Sequence, residues 1–351
     1  RDQPRSRGLG DVYKRQMSLN LIPVMIAGVG YGVPDTVITN DDLTKLVDTS
    51  DEWITTRTGI KERRVVSGEE NAVTLGIKAA KNALEKAKMD AKDVDMIIAA
   101  ASVPAHPYPS TACEIQAAIG ADKAAAFDIT AACTGMIYAM NIAKAFISSG
   151  IYKNILLVAT DANSKFIDWY DRTSCVLFGD GAGAFVLKES VDGVDDIIAM
   201  DMHSNGKDGD FIKMPMNGEN CPLVEPCEQK KQKIVMNGRE VYKFVVTTMP
   251  ESISNCLEKA GLTPDDVDYL IPHQANYRII EAMASRLNYS DEKIIVNLQK
   301  YGNTSAASIP LAMAEGIEEG KIKLPCKAIL SGFGAGLTWG TVIVRLREGI
   351  A

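Results

Sequence analysis

The sequence has no CxxC pair, no uninterrupted apolar run of about 18 residues and no excess of basic residues. Each absence removes a class of protein. Without CxxC pairs, the cysteines at 113, 133, 175, 221, 227, 256 and 326 offer no zinc site. Their odd number and wide spacing, with only Cys221 and Cys227 close together, fit a reduced, cytoplasmic compartment rather than a disulfide framework. Without a long apolar run, no membrane span is expected. With 38 Lys and Arg against 45 Asp and Glu, the net charge of −7 argues against a general nucleic-acid binder. An acidic partner must then dock on a local basic patch. Histidine is scarce too, with three residues.

The 351 residues, 46% hydrophobic and 24% charged, suffice for two domains or one duplicated unit with a large core. Residues 1–16, "RDQPRSRGLGDVYKRQ", are basic, lack apolar periodicity and precede Met17. They resemble translated adapter read-through and are set aside as a non-native or disordered leader, with Met17 as the expected start. A signal peptide is the rival reading, because "LIPVMIAGVGYGV" follows the basic stretch. That run carries Pro23 and Pro34 and no small-residue cleavage site.

Strand-like runs ("MIIAAAS", "AAAFDIT", "NILLVAT", "GAFVL", "YLIPHQ", "IIVNL", "AILSGF", "TVIVRL") alternate with helical stretches at 71–88, 134–149, 241–260 and 276–287. The alternation predicts an α/β fold. The chain also repeats itself. "NALEKAKMDAKDVDMII" (82–98) and "NCLEKAGLTPDDVDYLI" (255–271) agree at nine of seventeen positions without a gap, and "KNILLV" (153–158) echoes "KAILSG" (327–332) at nearly the same offset. Several such matches in one order, about 173 residues apart, predict duplication: related halves at 17–190 and 191–351, with a site where they meet.

Within "DITAACTGMIYAM", Cys133 lies between a strand pattern and a helix that begins at once. Free N–H groups and the positive end of the helix dipole stabilise a thiolate there and lower its pKa, and they can steady an oxyanion on an acyl group carried by the sulfur. The other six cysteines read as small buried residues. His273, in "DYLIPHQANYRII", stands just past a buried strand, whereas His106 and His203 lie in loop-like sequence. In "YGNTSAASIPLAM", Gly302 permits a tight turn and Asn303 precedes a helix, where a capping role is the simplest local reading. Cys, His and Asn on three strand-end loops nonetheless form a candidate site. "GFGAGLTWG" (332–340) lacks the Lys-Ser/Thr of a P-loop and can supply a backbone oxyanion donor. "GVGYGV" (28–33) mimics a dinucleotide fingerprint, but Val33 fills the third Gly position and Pro34 replaces the helix.

Taken in order, "AACTGMIYA", "PHQANYRI", "YGNTSAASIP" and "GFGAGLTWG" resemble the β-ketoacyl-[acyl carrier protein] synthase III family, the condensing enzymes that start type II fatty-acid synthesis. "SDEWITTRTGIKERR" (50–64) and "DRTSCVLFGDGAGA" (171–184) also look like family blocks, and the similarity spans about residues 20–349. The resemblance implies a thiolase-like fold, duplicated in five α-β-α-β-α layers. It implies that Cys133 accepts an acyl group, usually acetyl, from coenzyme A. His273 and Asn303 then hydrogen-bond the thioester carbonyl of malonyl-acyl carrier protein as CO₂ leaves. Backbone N–H groups of Cys133 and Ala335 hold the oxyanion. Coenzyme A is a substrate on this reading, and no metal or resident cofactor is expected.

The same matching implies that Trp53 and Arg172 sandwich the adenine of coenzyme A, that Arg57 meets its phosphates and that Asn276 lines the pantetheine tunnel. Gln274, Ala275, Asn276, Tyr277 and Arg278 resemble the carrier-protein contact, with Arg278 and Arg286 as a local basic patch. Tyr108 falls where an aromatic residue enters the partner subunit's acyl pocket, and a homodimer is expected. Asn163, polar, falls where an apolar pocket residue is common. The nearest alternative is a related Cys–His–Asn ketosynthase that takes a longer or branched primer in polyketide or secondary metabolism. A thiolase lacks support, since no second cysteine stands in "GFGAGLTWG". A papain-like protease and a non-catalytic carrier-protein binder are the readings from other classes.

Overall fold

The computed structural model describes residues 21–350, together with all their side chains except that of Arg286. The expected leader 1–16, the Met17 start and the Arg286 half of the basic patch therefore lie outside the described residues. Strands β1 (Val24–Gly32), β4 (Met96–Ala100), β5 (Ala125–Ile129), β6 (Asn154–Asp161) and β7 (Gly181–Glu189) form one mixed sheet in the order β1-β7-β6-β4-β5. Strands β2 (Val37–Thr39) and β3 (Glu62–Arg64) make a small separate pair. Strands β8 (Ile197–Ser204), β11 (Tyr269–Pro272), β12 (Cys326–Gly334) and β13 (Thr338–Leu346) form a second sheet in the order β11-β12-β13-β8, and β9 (Ile212–Lys213) pairs with β10 (Val235–Met236).

The helices complete the layers. Helix α1 (Asp51–Thr58) stands apart from the sheets; α2 (Ala72–Ala87) and α3 (Thr111–Ile119) pack on the outer face of the first sheet through Leu75, Ala79, Ala83 and Ile115. Helix α4 (Gly135–Ser148) lies between the sheets. Helices α5 (Gly238–Ala260) and α6 (Tyr277–Leu287) cover the outer face of the second sheet through Val245, Met249, Ile253 and Met283. Helix α7 (Ser308–Glu318) joins α4 in the middle layer, where Ile137, Met140, Ile309 and Met313 are sealed from solvent with residues of both sheets. The result is the expected α-β-α-β-α stack.

The sequence repeat is a structural one. In the first copy α2 ends on Lys88 in the left-handed region, a 3₁₀ turn follows at Ala91–Asp93, and β4 begins. In the second, α5 ends on left-handed Gly261, a 3₁₀ turn follows at Pro264–Asp266, and β11 begins. The offset extends further than the matching letters. The 3₁₀ turn Ala132–Thr134 leads into α4, and its counterpart 173 residues on, Ser305–Ala307, leads into α7. Both turns open on a non-glycine residue at positive φ, Ala132 (+44°) and Ser305 (+56°). Such backbone is costly for a residue with a Cβ and gathers where function requires it.

Three details differ from the sequence pattern. His203, read as a loop residue, lies in β8 with its Nε2 3.1 Å from Asp201 Oδ1. "IIVNL" is not a strand: Ile294 makes one isolated parallel bridge to Leu270, and Leu298 already begins a short helix, Leu298–Tyr301. A short apolar run does not distinguish a strand from a connector. "GVGYG", dismissed as a nucleotide fingerprint, is a packing device. A Cβ on Gly28 would sit 2.4 Å from the Ala83 carbonyl, and one on Gly30 2.3 Å from the Ala83 nitrogen. Those glycines let β1 and α2 approach backbone to backbone.

Candidate active site

The loops at the strand ends converge on one cavity of about 660 Å³, and its lining includes Cys133, His273, Asn303 and Ala335 from the predicted set. Each is placed by an element already described. Cys133 stands on the 3₁₀ turn that precedes α4, slightly before the regular helix rather than within its first full turn. Its N–H makes no hydrogen bond to another residue among those described. Gly334, at the end of β12, lies directly against it: a Cβ there would come within 2.7 Å of the Cys133 nitrogen and 3.2 Å of its Cβ. Ala335, the next residue, lines the same cavity as Cys133. Gly334→Ala is therefore expected to slow acylation of Cys133 by roughly 10²-fold through displaced geometry, measured as the rate at which an acyl adduct appears.

The thiol itself differs from expectation. Burial pushes the Cys133 pKa up to about 12, and the Ser305 hydroxyl, accepting from Sγ at 3.5 Å, offsets only part of this. The N-terminal donors do not outweigh desolvation in this cavity. At neutral pH the resting group is a thiol, so its proton must leave when it attacks.

His273 follows β11, is 2% exposed, and packs edge-on against Phe333 with ring centroids 5.2 Å apart. Burial lowers its pKa to about 3, so the ring is neutral throughout the physiological range. Its Nδ1 lies 2.7 Å from Ser308 Oγ, which also accepts from the Gln274 N–H at 3.3 Å. That arrangement leaves the serine proton for Nδ1 and puts the ring proton on Nε2. Asn303, bridged to Phe178, uses its carboxamide oxygen to accept from the Ser305 N–H at 2.8 Å. The cap read from sequence is not what forms: the 3₁₀ turn starts from Thr304 and α7 from Ala307, neither with a side-chain cap bond, and Asn303 makes an Asx turn just ahead of them. That turn leaves the NH₂ group as the donor available to the cavity. Two neutral N–H donors and one thiol are what a decarboxylative condensation needs.

At the mouth, exposed Arg57, Lys213 and Arg278 line the cavity together with Asn276 and Ala275. Asn276 caps α6 by accepting from the Arg278 N–H. Trp53 and Arg172 lie outside the lining, next to Arg57 on α1 and Thr173 respectively. The Arg57 and Arg172 guanidiniums stand 4.5 and 4.7 Å from the Trp53 ring centroid. Arg172 also donates to the Asp48 carbonyl. An adenine between Trp53 and Arg172 requires that guanidinium to move by about the thickness of a ring. Tyr277 is 40% exposed, and Tyr108, 85% exposed, is not among the residues that line this cavity. Asn163 does line it, its amide donating to the Gly179 carbonyl.

One predicted contact is corrected. Gln274 is 1% exposed; its amide donates to the Pro272 and Ile295 carbonyls and its oxygen accepts from the Asn297 N–H. It holds the loop after β11 and does not reach a protein partner. Three residues absent from the predicted site contribute to it: Ser305, Ser308 and Phe333. Both serines lie inside "YGNTSAASIP", and the 173-residue offset sets Ser305 opposite Ala132, beside the nucleophile. Among the described residues, no cluster of His, Cys, Asp and Glu could hold a metal ion, and no helix is long and apolar enough to cross a membrane.

Comparison with known proteins places the sequence and the fold in one family. Residues 127–206 match the family described as 3-oxoacyl-[acyl-carrier-protein] synthase III, and residues 257–346 match its C-terminal family. The chain is 47% identical over 321 residues to the β-ketoacyl-[acyl-carrier-protein] synthase III of Roseiflexus sp. RS-1, covering 91% of this chain and 97% of that protein. It superimposes on the crystal structure of 3-oxoacyl-[acyl-carrier-protein] synthase III from Aquifex aeolicus with a TM-score of 0.85 at 47% identity, covering 92% of this chain and 100% of the other. The priming β-ketosynthase of the R1128 polyketide pathway gives a TM-score of 0.86 at 32% identity, covering 94% and 98%. Fold and site together define a condensing acyltransferase of the thiolase fold. The chain belongs to the β-ketoacyl-[acyl-carrier-protein] synthase III family.

Proposed function

We propose that the chain initiates type II fatty-acid synthesis by condensing an acyl-CoA primer, acetyl-CoA in the first instance, with malonyl-acyl carrier protein. The observation that carries the reading is the convergence of Cys133, His273, Asn303 and Ala335 on one cavity with a cationic mouth. In the first half-reaction Cys133 Sγ attacks the thioester carbonyl, and the N–H groups of Cys133 and Ala335 hold the oxyanion until CoA leaves. In the second, the malonyl thioester carbonyl accepts from His273 Nε2 and the Asn303 amide. Loss of CO₂ gives an enolate that these donors stabilise without protonating it. The enolate carbon attacks the acyl-Cys133 carbonyl, and the thiolate departs.

Arg57 and Asn276 fit the phosphates and pantetheine of coenzyme A, with Trp53 and Arg172 stacking on its adenine once Arg172 swings aside. Coenzyme A enters as substrate, and this chemistry asks for no resident cofactor or metal. Ala275, Asn276, Tyr277 and Arg278 form the acyl-carrier-protein contact, where exposed Arg278 offers positive charge on a chain that is negative overall. A homodimer is part of the reading. It is supported by Tyr108, 85% exposed, which would reach the partner's acyl pocket, and by β5, an edge strand whose outer side faces no strand among the described residues. The cysteine usage supports a cytoplasmic location.

The test is intact-protein mass spectrometry after exposure to a mixture of acyl-CoAs of different length. One acyl group per chain, mapped to Cys133 and selected by length, is the expected result. It also identifies the primer, which distinguishes acetyl from the longer or branched chains of a related ketosynthase. A protein that stays unmodified in every mixture is not a condensing enzyme of this kind.

A further inference from the structure

The mechanism above leaves one buried titratable group beside the nucleophile unused. Asp161, the last residue of β6, is fully buried. Its Oδ1 accepts from the Ser102 and Val103 N–H groups at 2.7 and 3.0 Å, while Oδ2 is buried without a hydrogen-bond partner of ordinary geometry. The Ser305 hydroxyl is near enough to favour the ionised carboxylate although it makes no hydrogen bond of ordinary geometry to it, and the carboxylate charge pushes the Cys133 thiol pKa up. The pseudo-symmetry explains the placement. β6 in the first half corresponds to β12 in the second, so Asp161 stands where the second half has the Gly334–Ala335 strand end. Ala306, 173 residues after Cys133, is the counterpart of the nucleophile. Asp161 thus occupies, at the non-catalytic turn, the place that a substrate oxyanion takes at the catalytic one.

The two turns touch. Cys133 Sγ–H donates to Ser305 Oγ at 3.5 Å, and Ser305, held at positive φ, donates its N–H to Asn303 Oδ1. We propose that Asp161 is the proton acceptor for Cys133, reached through the Ser305 hydroxyl. As Sγ attacks the acyl-CoA carbonyl, its proton passes to Ser305 Oγ, and the Ser305 hydroxyl turns onto the unpartnered Asp161 Oδ2 and passes its own proton there. The Sγ–C bond forms, the C–S bond to CoA breaks, and the CoA thiolate takes its proton from solvent. Asp161, whose pKa is about 6, then returns its proton to solvent. When the β-ketoacyl product departs, the Cys133 thiolate takes a proton back through the same route, so two protons are taken up and one released, the net uptake of one per cycle.

Competing acceptors are placed elsewhere. Across the cavity His273 is neutral, with its Nδ1 taken up by Ser308. From β7, Asp180 precedes Gly181, the ladder partner of Asp161, but its oxygens accept from the Val66 and Ser164 N–H groups and from the Ser164 hydroxyl. The 102–103 loop presents backbone N–H groups to Asp161. Burial raises the Asp161 pKa to about 6, with Ser305 the largest opposing influence. The group is therefore ionised and able to accept a proton at neutral pH.

The inference rests on Cys133 being the acylated residue, and the experiment separates the two. Single-turnover acylation by acetyl-CoA is followed by quenched intact mass from pH 5 to 9 in the wild type, Asp161→Asn and Ser305→Ala. In the wild type the rate rises through an inflection near pH 6. Asp161→Asn keeps an acceptor for the Ser102 and Val103 N–H groups but loses that limb, and acylation slows by roughly 10²-fold or more. Ser305→Ala, with Asp161 intact, does the same. Acylation of Asp161→Asn that is unchanged or faster, with the limb retained, overturns the relay. If that variant does not fold, the limb and rate of Ser305→Ala decide the matter in the same way. A wild type that never gains an adduct overturns the functional reading and the relay together.

Discussion

Cys133→Ser is expected to lower the rate of acyl-enzyme formation by at least roughly 10⁴-fold while leaving the folded state intact. The reason is specific to this cavity. The thiol already sits in a site whose burial disfavours the anion, and its pKa stands near 12. A hydroxyl ionises with much more difficulty than a thiol and is the poorer nucleophile and leaving group. His273, neutral with a pKa near 3, cannot make up the difference as a base. The change removes no large side chain from the core, and the turn before α4 keeps its backbone. The measurement is acyl incorporation on mixing with acetyl-CoA, resolved by peptide. Cys221 and Cys227, expected to be buried, are instead exposed, and they serve as the internal control. An adduct mapped to either of them in the wild type, or a Cys133→Ser protein that acylates at a comparable rate, excludes Cys133 as the acceptor.

Much of the frame was legible because the repeat carries its own punctuation. The Asp-Val-Asp of both copies marks the step from a 3₁₀ turn into β4 and β11, and the helix before each ends on a left-handed residue. Cys133 and His273 were legible because each follows a strand, β5 and β11, that pairs in parallel with its neighbour and delivers its loop to a common rim, whereas Asn303 follows the short helix Leu298–Tyr301 and not a strand. What escaped depends on contacts between distant segments. Helix α1 buries only Ile54 and Thr58, so "DEWITTRT" shows no apolar stripe to read; its caps, Ser50 and Gly59, are the better signal. Gln274 looks like its exposed neighbours in sequence, yet its amide is consumed by Pro272, Ile295 and Asn297. The direction of the Cys133 pKa was misread for the same reason: the helix start is local and visible, whereas desolvation comes from the whole cavity. Ser305 and Ser308 act on residues 172 and 35 positions away, so only the fold assigns their partners.

His273→Ala is expected to separate the two half-reactions. Acylation of Cys133 draws on the backbone N–H groups of Cys133 and Ala335 and on the removal of the thiol proton. None of these passes through a neutral imidazole whose Nδ1 is engaged by Ser308. Transfer from acetyl-CoA should therefore stay within several-fold of wild type. Condensation draws on Nε2–H directly. Losing one of two donors to a developing enolate oxygen in a water-poor site costs roughly 10²–10³-fold. The assay loads Cys133 first, removes free acyl-CoA, then adds malonyl-acyl carrier protein and follows CO₂ and β-ketoacyl product. Because burial holds the His273 pKa near 3, the wild-type condensation step should show no inflection from this group between pH 5 and 9. The expected signature is an acyl-enzyme that accumulates and persists in the variant. If acylation and condensation instead fall by the same factor, the imidazole participates in thiol activation, and the division of labour between the turn at Cys133 and the loop at His273 is wrong.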